Sequence, residues 1–321
     1  MSGYYTPMRI VVLGAGGARK TETSIVRAVR SLGHACRLVN SVGLRRYLPF
    51  PRRVATYLTD EFEPDLLILT KHAVELGQEV IVQLAARRPT VFWYFDLEPT
   101  DKVVALGRLT QRMFITCLAQ IDVYQRAGVA DVKFLPQAVD PMLDVPVQSA
   151  GTQYRCDTSF VGSGQSTHRY EVLRAVAGVS RLQIRGPGWA EAPSDLPVAG
   201  GPVHGRRLSE VIHGASISLG ANSHPSHEVY RASASNRMWK VLGRGGFYLG
   251  PYVEDIEHFA ADGVHCAWYR DPPHAAELTR QYLDQSDQRE RIARAGRTHA
   301  LANHTYAHRV ALLLEGKGYS L

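Results

Sequence analysis

The sequence predicts an α/β protein of two doubly wound Rossmann-like lobes facing a central cleft. Three observations predict it. Short β-branched or aromatic runs alternate with amphipathic stretches, as parallel strands joined by crossover helices do. The alternation occurs twice, in halves of similar length separated by a composition break at residues 137–153. With 321 residues, the chain is long for one hydrophobic core and comfortable for two.

In the first half the predicted strands are 9–13, 35–39, 65–69, 90–95, 113–116 and 132–135. Predicted helices between them include 22–32, 74–86 and 118–127, the last stopped by Gly128. The break contains Asp140 and Pro141, Pro146 and the run Ser149, Ala150, Gly151, and it reads as a linker. Strands at 158–161, 182–184, 216–219, 246–249 and 265–268 follow, with helices near 169–176, 208–212, 236–242, 275–285 and 288–302. The expected division is an N-terminal domain over 1–148, a C-terminal domain over 149–303, and a final helical segment, 304–321, crossing back to the first lobe.

Composition narrows the function classes. No apolar stretch approaches the roughly 20 residues that a membrane span needs, and the first residues lack the basic region and cleavage site of a signal peptide. The four cysteines, Cys36, Cys117, Cys156 and Cys266, are far apart and form no Cys-x-x-Cys pair. That spacing disfavours a structural zinc site or a disulfide framework and makes the cytoplasm the expected compartment. A net charge of +7 favours anionic partners in general, or reflects an arginine-rich surface.

Two glycine turns follow strands. After 9–13 comes Gly14, Ala15, Gly16, Gly17, Ala18, Arg19, and Gly14 and Gly16 are candidates for close approach to a ligand, or simply for a tight turn. A dinucleotide fingerprint fits poorly, because Arg19 stands at the third glycine position and Asn40, not an acid, ends the second strand. The second turn, Gly162, Ser163, Gly164, is followed by His168 and Arg169. A helix start with a guanidinium is an anion site in outline.

A third constellation is richer. Ser235 is a plausible helix cap before Asn236, and Arg237 and Lys240 lie one turn apart near the positive end of that helix. Gly245 and Gly246 then let the helix pack close to the next strand. Two cations at a helix start suit a diphosphate that must be stabilised as it leaves.

These residues resemble a known family. From Asp157 to Arg309 the chain is similar to the C-terminal domain of CgeB-like (spore-maturation-type) glycosyltransferases of GT-B fold. The resemblance rests on 157–163, Arg169, the turn 185–189, Asn236 and Arg237, 245–249, His304 to Tyr306, and Arg309. A looser similarity covers 92–99, 134–136 and 140–141. It implies sugar transfer from a nucleoside diphosphate sugar, held as co-substrate without a metal. Gly162, Arg169 and Arg237 would lie near the phosphates, and Gly186 and His204 near base and ribose. Many relatives carry a glutamate where Lys240 stands, contacting the donor ribose. Lysine cannot accept from ribose hydroxyls, so Tyr230 or Glu228 becomes the expected ribose contact. His224, His227 and Glu228 could suggest a metal, but a loop bordering the donor site is the simpler reading.

An inverting enzyme needs a general base in the first lobe. Asp96, after the strand 90–95, is the leading candidate, with Glu98 and His72 behind it; each could instead cap local structure. The acceptor stays open between a glycan or small molecule and duplex DNA with hydroxymethylated bases. For the latter, Arg45, Arg46, Arg52 and Arg53 with Tyr47, Phe50 and Tyr57 form a loop-like segment able to contact phosphates and flipped bases. A nucleotide-sugar binder or epimerase-like protein of the same fold is the third class.

Overall fold

A computed structural model of the chain describes residues 6–223 and 230–321. It divides into two compact units, 1–137 with 306–321, and 138–305.

The first unit holds β1 (Arg9–Gly14), α1 (Thr21–Ser31), β2 (Ala35–Asn40), α2 (Ser41–Tyr47), α3 (Pro51–Phe62), β3 (Leu66–Leu69) and α4 (Gln78–Ala85). It continues with β4 (Thr90–Tyr94), α5 (Asp101–Arg108), β5 (Arg112–Ile115), α6 (Ile121–Arg126) and β6 (Val132–Phe134). Its sheet is parallel in the order β2-β1-β3-β4-β5-β6. Ile10 to Leu13 and Leu67 to Leu69 are fully buried, because helices cover both faces of such a sheet. The chain reverses its winding between β1 and β3, so loops 14–20 and 70–77 meet at that unit's switch point.

Two predicted features differ. The helix expected over 74–86 is a short 3-10 turn, Lys71–Leu76, then α4, broken at Gly77, whose φ of +85° is left-handed. The loop expected around 45–57 is instead α2 and α3. Asn40 caps the first by accepting from the Gly43 N–H (3.0 Å), and Pro51 at the first turn of the second fits its fixed φ.

The second unit holds β7 (Cys156–Val161), α7 (Tyr170–Ala177), β8 (Leu182–Arg185), β9 (Val198–Gly200), α8 (Arg206–Gly214) and β10 (Ala215–Leu219). Then come α9 (Asn236–Gly243), β11 (Tyr248–Pro251), β12 (Ala267–Tyr269), α10 (Pro272–Asp284) and α11 (Ser286–Asn303). The order β12-β11-β10-β7-β8-β9 is the Rossmann order, with the switch point between β7 and β10.

The boundary falls at 137/138, earlier than the linker reading placed it. Residues 138–145 belong to the second unit for a physical reason. The Val139 N–H donates to the His304 carbonyl (2.9 Å), and Asp144 forms a buried ion pair with Arg244. Arg244 also donates to Ser209 Oγ (3.0 Å) and to the Leu143 carbonyl (3.1 Å). After Thr305 the chain returns to the first unit as α12 (Tyr306–Leu314), which packs on α1. Arg309 of α12 is buried and donates from Nε to the Pro136 carbonyl (3.2 Å).

Candidate functional site

At the switch point of the second unit, β7 runs into Gly162 and β10 into Gly220 and Ala221. Arg237, on the first turn of α9, joins the two ends. Its Nε donates to the Val161 carbonyl (2.7 Å) and its Nη1 to the Ala221 carbonyl (3.2 Å). Ser235 caps α9 by accepting from the Met238 N–H (3.2 Å), which fixes where Arg237 emerges. The guanidinium lies over the Phe160 ring at 4.5 Å, and that of Arg169 approaches the same ring at 5.9 Å. Arg169 in turn donates to the Ser163 carbonyl.

Two guanidiniums are thus held on one phenyl ring. Neither has a carboxylate within 4 Å among the described residues, and Arg169 Nε is buried without a hydrogen bond. Burial, then the charge of Arg237, pulls Arg169 down to about 10, and burial lowers Arg237 as well. Arg169 stays protonated at neutral pH, so the site carries a poorly solvated double positive charge. An anion placed there relieves both the desolvation and the repulsion.

The glycines act sterically. A Cβ on Gly162 would collide with the Arg237 guanidinium and lie 2.8 Å from the Phe160 ring. Gly186, at φ +148°, passes against the Gly162 carbonyl, where any side chain would clash. The N–H groups of Gly162 and Gly164 are spent on the carbonyls of Arg185 and Pro187, both at 2.9 Å. These loop amides therefore do not cradle a phosphate, contrary to the usual reading of a glycine turn; Gly162 instead clears space for the Arg237 guanidinium. Trp189 fastens the loop by donating to the Gly162 carbonyl (2.9 Å).

A cavity of about 210 Å³ opens beside this point. Its walls bring together five residues singled out from sequence: Gly162, Gly186, His204, Arg237 and Lys240. Arg169 borders the site through Phe160 and Ser163. Tyr230 and Asn236 do not line the cavity; the Tyr230 hydroxyl lies 3.3 Å from Ser223 Oγ, and Asn236 is the first residue of α9. His224, His227 and Glu228 lie outside the described residues. Sequence reasoning missed Phe160, although an aromatic residue two before Gly162 was a visible signal. It also missed Ser218, which lines the cavity with a buried Oγ that makes no hydrogen bond; no sequence pattern marks it.

The first glycine turn has a different fate. The Ala15 N–H donates to Glu22 Oε1 (3.0 Å) and the Gly16 N–H to Asn40 Oδ1 (2.8 Å). Glu22 is buried and also accepts from the Thr70 hydroxyl (2.8 Å). Gly14 and Gly16 therefore serve a closed turn, since a buried carboxylate occupies the place of an anion.

In the same unit Asp96 follows β4 and pairs with Lys71, with roughly half of each side chain exposed (48% and 51%). Glu98 is exposed, and its carbonyl accepts from the Tyr94 hydroxyl (2.7 Å). His72 lies in the turn after β3, its carbonyl accepting from Ser41 Oγ (2.6 Å). No group of three or more His, Cys, Asp or Glu side chains among the described residues could hold a metal ion.

The Glycosyl transferase-like family model matches residues 169–315. Among curated proteins none matches in sequence. Solved structures match over nearly the whole chain. Alr3699/HepE of Anabaena, in complex with UDP and glucose, is 13% identical with a TM-score of 0.65, covering 96% of this chain and 99% of that one. An alpha-glucosyltransferase in complex with UDP and a 13-mer DNA containing an HMU base is 10% identical with a TM-score of 0.73, covering 97% and 99%. Sucrose-phosphate synthase from Thermosynechococcus elongatus is 12% identical with a TM-score of 0.66, covering 96% and 98%. Identities this low establish the fold, which is GT-B. The family model matches the part of the chain that holds Arg169, Arg237 and the cavity beside them.

Proposed function

We propose that the chain transfers a sugar from a nucleoside diphosphate sugar to an acceptor hydroxyl, of the kind its CgeB-like resemblance implies. One observation carries the reading: Arg169 and Arg237, both without a carboxylate partner among the described residues, meet over Phe160 beside a cavity at the switch point. A diphosphate there needs no metal to offset its charge, because two guanidiniums stabilise it as it leaves. UDP or UDP-glucose bound to solved structures of the same fold supports this donor class. Supplying a panel of nucleoside diphosphate sugars and following release of the nucleoside diphosphate tests it. Turnover of at least one donor, accelerated by an acceptor, is expected; release from none would refute the proposal.

Asp96 is the proposed general base. Its pair with Lys71 is solvent-exposed and so contributes little to stability. Asp96→Asn is therefore expected to leave the melting temperature nearly unchanged and lower kcat by about 10²–10⁴-fold. An unchanged kcat would remove Asp96 from the reaction and point to a mechanism without a base. Glu98→Gln and His72→Asn are the companion tests.

A second reading, transfer to a hydroxymethylated base in duplex DNA, is favoured by one surface. Tyr47, Phe50 and Tyr57 are 74%, 62% and 66% exposed on α2 and α3 and the turn between them. Arg46 lies over Tyr47 at 5.5 Å, and Arg53 over Phe50 at 5.7 Å. Arg45 and Arg52 are paired with Glu75 and Glu79, which leaves this surface only weakly basic. On this reading duplex DNA binds with an affinity that falls steeply with salt. Absence of binding at low salt would leave glycan or small-molecule acceptors. The four cysteines are buried and not joined in disulfides, which supports a reducing compartment, the cytoplasm.

A further inference from the structure

The turn between α2 and α3 is apolar where a turn is ordinarily polar. Tyr47 ends α2, and the chain then passes through Leu48, Pro49 and Phe50 before α3 begins. All four residues are exposed; consecutive apolar side chains in solvent add nothing to the fold and ordinarily mark a binding surface. An arginine pair flanks this tip on each side, Arg45 and Arg46 before it, Arg52 and Arg53 after it, and residues 41–59 contain no acid. The tip stands on a firm base. α3 buries Ala55 and Thr59 and packs Leu58 and Phe62 against the core of the first unit, which leaves Arg53 and Tyr57, one turn apart, on its outer side. The Arg46 and Arg53 guanidiniums lie over the Tyr47 and Phe50 rings, so charge rims the apolar tip.

This order of chemistry matches the boundary of an anionic bilayer. Aromatic rings settle at headgroup level, aliphatic side chains sit just below it, and guanidiniums meet the phosphates. Duplex DNA is the competing occupant, but its affinity comes from phosphate contacts. Glu75 and Glu79 already engage Arg45 and Arg52, and the side chains of Leu48, Pro49 and Phe50 cannot hydrogen-bond a phosphate or a base edge. A bilayer uses the apolar tip itself.

We propose that this tip docks the first unit onto the surface of an anionic lipid bilayer. Leu48 and Phe50 enter the boundary between headgroups and acyl chains, Tyr47 and Tyr57 lie at headgroup level, and Arg46 and Arg53 meet the lipid phosphates. The chain lies on the bilayer by this contact; no helix among the described residues is long and apolar enough to cross it. The inference does not depend on what the second unit binds.

Co-sedimentation of the full chain with vesicles tests it, using phosphatidylcholine alone and phosphatidylcholine with about one-third phosphatidylserine, in about 0.15 M salt. The anionic vesicles are expected to bind about thirtyfold more tightly, about fivefold for each of Arg46 and Arg53. Leu48→Ser with Phe50→Ser is expected to weaken binding to the anionic vesicles by about tenfold or more. The melting temperature of that double variant should stay nearly unchanged, because both side chains are exposed. Arg46→Gln with Arg53→Gln is expected to remove most of the preference for the anionic vesicles. A chain left in the supernatant with both compositions overturns the proposal, and so does vesicle binding that the Leu48, Phe50 double variant retains in full. Binding to duplex DNA with none to vesicles gives the surface to nucleic acid instead.

Discussion

Replacing Arg237 by alanine is expected to weaken nucleoside diphosphate binding by about 30-fold to several thousandfold. That range corresponds to the roughly 2–5 kcal/mol lost when one partner of a buried, hydrogen-bonded charge pair is removed. The effect is large because this side chain does two things at once. It places a guanidinium over Phe160 at the switch point, and it ties the ends of β7 and β10 together through the Val161 and Ala221 carbonyls. Lysine restores the charge but not the fork, so Arg237→Lys should recover only part of the affinity. Calorimetric titration of both variants with the nucleotide that binds the parent protein checks this. Affinity unchanged in Arg237→Ala would place the diphosphate elsewhere.

The largest stability effect is expected at Arg244. Both members of the Asp144–Arg244 pair are almost fully buried (7% and 3% exposed). Removing one partner leaves a buried charge alone, at a cost of about 3–5 kcal/mol. Arg244→Ala also strips hydrogen bonds from Ser209 Oγ and from the Lys240 and Leu143 carbonyls, which fasten residues 138–145 to α8 and α9. Denaturant unfolding should show the transition of the second unit shifted to lower denaturant. The double variant Asp144→Leu, Arg244→Met should recover most of the loss, because two apolar residues leave no charge behind. A single-variant loss below about 1 kcal/mol would mean that the pair is solvated.

Much of the fold was legible because parallel strands buried on both faces write themselves as apolar runs, as at Ile10–Leu13 and Leu66–Leu69. Residues 41–62 were not legible as helices. Their exposed Tyr47, Phe50 and Tyr57 break the amphipathic pattern that marks a helix. In the cavity of the second unit, Arg237 and Lys240 could be read from their spacing on one helix, with Gly162 and Gly186 beside them. The actual role of Gly162 could not, since it depends on where a guanidinium some 75 positions away comes to rest. The same limit explains Gly14 and Gly16: only the folded chain shows Glu22 and Asn40 occupying that turn. The linker reading failed for the same kind of reason, because the partner of Asp144 lies 100 residues along the chain.

The central claim, that the second unit holds a nucleoside diphosphate between Arg169, Arg237 and the cavity beside them, is tested most directly by thermal unfolding of the parent protein. The measurement covers a panel of nucleoside diphosphates and their sugars. A ligand at a hundred times its dissociation constant stabilises the unit that binds it by about 2.7 kcal/mol. At least one diphosphate is predicted to raise the melting temperature by several degrees, and the nucleoside alone, lacking the anion, by much less. No shift with any diphosphate at millimolar concentration would contradict the account.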